Sequence, residues 1–494
     1  MSALDRRVPV IVGAAQVTNR TDDLADVVDA VELMERALVG AADDAGTKRL
    51  LDRLDRLAVM QGRWRWPDPA RLVADRVGAV QARTVFAMAS GSIAQDLVSD
   101  ACRRIQAGDA DAVAVCGGEW AHGRRRLRAA GLPLPVTPQR DAEPDERFGA
   151  NREWESPLET ERGFTEPLVV YALFESAIAA ARGEGPAETQ ARVARLAEHI
   201  NGVAATNGHA WRRDRLTAAD LLGDTGGNRP VVFPYTKWMV ANPDVDMAFA
   251  LVVCAAGVAA DLGVPPDRWV FPVAAAGCDD PCWFSELDRF DRAINHELTI
   301  GATLAAGGVG VDDIAHLDLY SCFPAAVVLQ AQALGIDPLS RSISVTGGMP
   351  FFGGPLASYV GHAIVESVHI LRSDPDQLAL CVGNGGYLNK LATGLYAGRP
   401  PSAPFRWHDV SRVAVAQPHR KVAIGEEPAV EIEATTVVFD KAGPQRALVT
   451  GLTPGGKRAI GSSDDNDVMA TVLAGSWAGR RARIGLDGTV DLTR

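Results

Sequence analysis

Two spacings of apolar residues recur along this chain, and they alternate. Val360, Ala363, Ile364, Val368 and Ile370 fall at roughly helical spacing, which predicts a helix from about Ser358 to Leu371. Leu378-Ala-Leu-Cys-Val382 is a short continuous apolar run closed by Gly383-Asn-Gly-Gly386, the pattern of a buried strand entering a glycine loop. Ser373-Asp-Pro375 separates the two, because proline cannot continue a helix. A second glycine loop, Gly347 to Gly354, precedes the helix. The same unit occurs earlier. The loop Ala89 to Gln95 leads into a helical pattern over Asp96–Ile105, a turn at Gly108-Asp109 and a strand over Ala112–Glu119. Repetition of a whole loop-helix-strand unit predicts a fold made of two similar halves.

The rest of the chain extends this reading. Val10–Gln16, Leu57–Gly62 and Arg83–Ala87 read as strands, and Asp26–Ala42 and Pro69–Val80 as helices. Such alternation predicts a largely parallel sheet. From His122 to about Asn228 the character changes. A basic run, His122 to Arg128, is followed by a polar stretch through Thr165 and by helical patterns over Pro167–Arg182, Ala187–Thr206 and Thr217–Leu222. An irregular excursion of this size from a rigid core is expected to carry binding. Asn242-Pro-Asp-Val-Asp246 is a turn returning to a buried segment that ends at Cys254, and a second α/β half runs from about Trp269 to Ala397. Gly398–Pro404 reads as a proline-stiffened linker. The last ninety or so residues read as all-β: Val430–Phe439 is rich in β-branched residues, and Pro454-Gly-Gly and Asp487-Gly mark turns. A small barrel or sandwich is expected there.

Composition narrows the function classes. A chain of 494 residues that is 47% hydrophobic can bury a large core in two to four domains. Its formal net charge of -12 argues against general binding to nucleic acid or anionic membranes. No apolar run approaches the ~20 residues of a membrane span. The first residues lack a signal-like apolar stretch. The seven cysteines are scattered and odd in number, as for reduced thiols, so a cytoplasmic location is expected. Cys278-Asp-Asp-Pro-Cys282 has the look of a metal motif without a second ligand pair in sequence, and no metal is assigned. There is no phosphate-binding Walker loop and no dinucleotide fingerprint in context.

Taken in order, several of these segments resemble the thiolase superfamily. The resemblance rests on Val10–Gln16, Gly117-Gly118-Glu119 followed by an insertion, Asn242–Asp246, Gly347-Gly348 and Cys381-Val-Gly383. Asn228–Lys237, Asp318-Leu-Tyr-Ser-Cys-Phe-Pro324, Gly385-Gly-Tyr-Leu388 and the extra C-terminal β region are closer to the branch known as thiolase-like protein type 1, commonly labelled acetyl-CoA acetyltransferase. The resemblance spans essentially the whole chain. It implies a duplicated α/β thiolase fold, two βαβαβ-type halves in five αβαβα layers, with an inserted loop domain and a small OB-like β domain. The expected boundaries are 1–121 plus 229–268 for the first half, 122–228 for the insertion, 269–397 for the second half and 405–494 for the β domain.

A thiolase takes up its acyl group on a Cys-x-Ser-Gly cysteine, activates it with the histidine of Gly-His-Pro, and moves the α-proton with the cysteine of Cys-x-Gly. The Asn or His of an Asn-Glu-Ala-Phe-type motif supports the oxyanion. Here the first position is Met88, the histidine is replaced by Gly354, and Tyr320 stands in the fourth motif; only Cys381 is kept. A thioether forms no thioester, so chemistry through an acyl-cysteine is not expected. Cys381 is then an acid/base or a small buried hydrophobe. Tyr320 is a hydrogen-bond donor, a base, or a strand-end tyrosine at the surface. His362 is an acid/base or a packed helix residue. Ser90 is a substitute nucleophile or an N-cap. Arg124, Arg125 and Arg126 either meet the phosphates of coenzyme A or form a solvated turn.

The resemblance thus implies a coenzyme A thioester as substrate or ligand, with no permanently bound cofactor. Three functions remain open: acyl transfer or carbon–carbon chemistry without a covalent cysteine, non-catalytic binding of acyl-CoA or a partner protein, and retro-aldol cleavage. The β domain is a candidate surface for a partner protein or a homodimer.

Overall fold

The computed structural model describes residues 4–150, 152–224, 226–424 and 429–492. Its centre is a pair of helices between two sheets. Ile93–Ala107 and Tyr359–Ser373 pack on each other and on strands of both sheets. Outer helices, Ala30–Asp44 on the first sheet and Ile294–Gly307 on the second, close a five-layer stack. A helix held between sheets has no solvent face, which is why Val360, Gly361, His362, Ala363, Ile364, Val365, Ser367, Val368 and Leu371 are all buried. Gly361 is needed for that fit, since a Cβ there would sit 2.0 Å from Cζ of Phe249.

The two halves have matching topology. In the first sheet Pro9–Thr18 pairs antiparallel with Asp246–Ala255, which pairs antiparallel with Ala112–Trp120. Arg56–Met60, Arg83–Ala87 and Glu146–Phe148 follow in parallel. In the second, Phe271–Asp279, Lys390–Ala397, Leu378–Gly385 and His316–Asp318 repeat the first four positions in the same order and sense. The repeated loop-helix-strand unit of the sequence therefore forms equivalent parts of a duplicated α/β fold. The sheets are less parallel than the alternation predicts. Asp246–Ala255 and Lys390–Ala397 arrive from long or hairpin connections rather than helical crossovers, and both run antiparallel.

Local chemistry sets the element ends. Arg83–Ala87 and Pro167–Arg182 coincide with the sequence reading. The helix Pro69–Val77 stops short of its expected end, because Gly78 adopts φ 80° and caps it. Gly398–Pro404 proves to be a turn within the second half, since Arg406–Asp409 adds a fifth, parallel strand beside Phe271–Asp279. The C-terminal region is not purely β. Ala429–Phe439, Pro444–Leu452, Arg458–Ser463, Arg481–Ile484 and Val490–Asp491 form its sheet, and the helix Asn466–Ala474 covers it through Met469 and Val472. Its strand Ala429–Phe439 packs on the helix Pro167–Arg182 and pairs at Val438 with Val232. Among the described residues no helix is long and apolar enough to cross a membrane.

Candidate functional site

Two glycine loops, one from each half, meet where the central helices begin. A Cβ on Gly91 would lie 2.1 Å from the carbonyl oxygen of Asn384 and 2.5 Å from Oη of Tyr320, and one on Gly385 would lie 2.2 Å from Oγ of Ser90. Glycine is required at Gly91, where the two loops touch through the backbone. The phenol of Tyr320 thus stands against the loop that begins with Met88.

Tyr320 is held from behind. Oε1 of Gln330 accepts its backbone N–H at 2.8 Å, and Nε2 of Gln330 donates to its carbonyl at 2.8 Å. The ring meets Tyr359 edge-on with centroids 5.7 Å apart. Burial raises the phenol far above its ordinary pKa. The hydroxyl therefore stays protonated, which does not fit a base with a lowered pKa.

A polar chain lies behind the two tyrosines. Oη of Tyr359 is 2.7 Å from Oγ1 of Thr346 and 3.3 Å from Oγ of Ser321. The hydroxyls of Ser344 and Thr346 donate to Oδ2 of Asp318 at 2.9 and 3.1 Å, and the amides of Val345 and Thr346 donate to the same oxygen. Burial lifts the Asp318 carboxyl to about 6.

Near Gly91 lies also Asn384, whose Nδ2 donates to Oη of Tyr171 at 2.7 Å while its buried Oδ1 has no partner. Such an orphaned acceptor is a feature that a ligand can satisfy. Cys322, nearly buried, sits beside Tyr171 and Asn384. Ser90 is not the helix N-cap; that place belongs to Ser92. Instead Oγ of Ser90 lies 2.9 Å from Oγ of Ser92, which donates to Oδ2 of Asp96 at 2.9 Å. Desolvation raises the Asp96 carboxyl to about 7. Ser90 also lines a small cleft with Arg152, Trp154 and Lys390.

Tyr320 and Ser90 are therefore brought to one place, and Cys381 borders the polar chain behind it, opposite Asp318 on the neighbouring strand. Cys381 is 0% exposed, with Sγ 3.3 Å from Oγ of Ser367; burial first and Asp318 second push its thiol up. Gly354 donates its N–H to the carbonyl of Asn242 at 2.8 Å. Arg125 makes a two-point ion pair with Asp244, at 2.9 and 2.7 Å. Arg126 donates to the carbonyls of Thr21 and Asp22, and Arg124 to that of Arg63. These three arginines tie the helix Ala121–Ala129 to the first half.

His362 lies in the core, its Nδ1 2.7 Å from Oε1 of Gln16 and its ring edge-on to Phe249 and Phe352. Burial lowers its pKa to about 3. Below about pH 6.5 the unfolded chain protonates this imidazole and the folded chain does not, so stability falls with acid between about 6.5 and about 3. His296, also lowered to about 3 by burial, acts in the same sense. Relative to wild type, His362→Gln should therefore gain about 1.4 kcal/mol per pH unit on acidification from about pH 6 to about pH 4. Urea denaturation of the two proteins at several pH values checks this, and a constant difference would contradict it.

Tyr359, Cys322, Asn384 and Asp96 were not singled out in the sequence. Tyr359 looks there like one more helix residue, and Cys322 carries no signal beyond its place in Tyr320-Ser-Cys-Phe323.

Residues 409–489 match the thiolase-like protein type 1 additional C-terminal domain. Over the whole chain the fold is similar to the crystal structure of a monomeric SCP2-thiolase-like protein type 1 from Mycobacterium smegmatis, with TM-score 0.84 and 27% identity, covering 99% of this chain and 100% of that one. The Ltp2–ChsH2(DUF35) aldolase shares the fold at TM-score 0.60 and 19% identity, over 80% of this chain and 98% of its own. In sequence, 142 residues are 28% identical to the mitochondrial acetyl-CoA acetyltransferase of Xenopus tropicalis, a match spanning 28% of this chain and 31% of that protein.

Proposed function

The chain belongs to the thiolase-like superfamily and carries the additional C-terminal domain of the type 1 proteins, and from that premise we propose that it acts on a coenzyme A thioester without an acyl-cysteine. The observation that carries this reading is the Tyr320 hydroxyl packed against Gly91, on the loop that has Met88 where a nucleophile would stand. A buried, protonated phenol suits donation to a thioester carbonyl oxygen. Negative charge collects on that oxygen both in attack on the carbonyl and in cleavage of the neighbouring carbon–carbon bond, so one donor serves either reaction. The unpartnered Oδ1 of Asn384 is the second group suited to orient a substrate.

An aldolase with the same fold makes carbon–carbon cleavage the first reaction to assay. Purified protein is incubated with β-hydroxyacyl-CoA and β-ketoacyl-CoA thioesters, with products and intact protein mass followed together. The expected result is bond cleavage or transfer with no acyl adduct on the protein. An adduct on any cysteine would overturn the reading, as would failure of these thioesters to bind in calorimetry. Binding without turnover would favour a non-catalytic role, for which Met88 and Gly354 are the supporting residues.

A further inference from the structure

Cys278-Asp-Asp-Pro-Cys282 lacks a second ligand pair in sequence, and the fold supplies a ligand from far along the chain. Asp280, Cys282 and His419 converge where the second sheet meets the segment leading to the C-terminal domain. A carboxylate oxygen, Sγ and an imidazole nitrogen all lie within 4.8 Å of one another. Nε2 of His419 is 3.1 Å from Oδ2 of Asp280. Asp280 and Cys282 are buried and His419 is exposed.

The backbone fixes this arrangement. The N–H of Asp280 donates to the carbonyl of Asn389 at 2.8 Å, and Nδ2 of Asn389 donates to the carbonyl of Cys282 at 2.7 Å. His419 is held by its bridge to Leu287. Nδ2 of Asn295 donates to Oδ2 of Asp280 at 3.1 Å, and the buried Oδ1 of Asn295 has no partner. Asn295 and Pro418 both border a cavity of about 240 Å³.

We propose that Asp280, Cys282 and His419 bind one divalent zinc-type cation, with a fourth position left for water. One thiolate, one imidazole and one carboxylate form a borderline donor set, which suits zinc and not magnesium or calcium. Ligand atoms of a tetrahedral zinc site stand roughly 3.5 Å apart, within reach of small side-chain rotations from the arrangement here. Asn295 orients the carboxylate as an outer-shell partner does. A cysteine–histidine nucleophile pair is a poorer fit, because Asp280 and not His419 is the group shared by the other two. Binding releases the thiol proton of Cys282. The ion would pin the segment around His419 to the second half and so fix where the C-terminal domain sits.

The test is a cobalt(II) titration of the full chain after chelator treatment, followed in the near-ultraviolet thiolate-to-cobalt absorption band. One equivalent of cobalt should develop the band and one equivalent of zinc should abolish it. Cys282→Ser should remove the band, Cys278→Ser should keep it, and His419→Ala should weaken binding by at least tenfold. Asn295→Ala should weaken zinc binding about 10–100-fold. Thermal melts of every variant establish that it is folded. Absence of the band in folded wild-type protein overturns the proposal, and so does its survival in Cys282→Ser.

Discussion

Arg458→Ala should destabilise the protein by about 3–5 kcal/mol, the usual cost of removing one partner from a buried ion pair. Arg458 is fully buried, and its guanidinium is saturated. Nε and Nη2 donate to the two oxygens of Glu433 at 2.7 Å each, within the C-terminal sheet. Nη1 donates to the carbonyls of Ser285 and Leu287, and Nη2 to that of Asp288 at 3.3 Å. The same guanidinium lies 4.1 Å above the ring of Phe290. One side chain therefore fastens the C-terminal domain to the loop after Phe271–Asp279. Alanine leaves a carboxylate and three carbonyls without their donor in a space water enters poorly. Arg458→Lys keeps the charge and loses the two-point fork, so it should fall between wild type and alanine. Denaturant unfolding measures the loss, and limited proteolysis between residues 416 and 424 reports whether the domain lifts away. A loss below about 1 kcal/mol for alanine would mean that docking rests on the apolar contacts instead.

What the sequence disclosed follows from how local each signal is. Arg83–Ala87 and Pro167–Arg182 are set by their own spacing and flanking residues. The duplication was legible because both copies keep loop, helix, turn and strand in one order. Arg406–Asp409 was hidden behind Gly398–Pro404, since a proline-rich turn within a sheet looks like a linker between domains. Asn466–Ala474 was hidden in a β-rich stretch because only Met469 and Val472 of its residues are buried. The site was partly legible for the same reason. Met88, Gly354 and Tyr320 are read directly from motif positions. The pairing of Tyr320 with Tyr359, the Ser90–Ser92–Asp96 chain and the meeting of Cys282 with His419 depend on tertiary contacts that no local spacing encodes. The tripled arginines, conspicuous in an acidic chain, proved to be bonded to Asp244 and to backbone carbonyls.

Tyr320→Phe should lower turnover of a coenzyme A thioester by about 10²–10³-fold, the effect of removing one oxyanion donor, with KM little changed. The substitution keeps the ring that meets Tyr359 and fills the space beside Gly91, and it removes only the hydroxyl. Stability should therefore stay within about 1 kcal/mol of wild type, which separates a chemical role from a packing one. Because burial holds the phenol protonated, its ionisation should leave no alkaline limb in the pH–rate profile below the pH at which the protein unfolds. Ser90→Ala sharpens the comparison. Ser90 is linked through Ser92 to Asp96, a group lifted to about 7, so a serine-centred reaction would show an ionisation near neutrality and would be abolished by this change. The phenol-centred reaction should survive Ser90→Ala. Full activity in Tyr320→Phe together with none in Ser90→Ala would move the chemistry from the tyrosine to the serine chain.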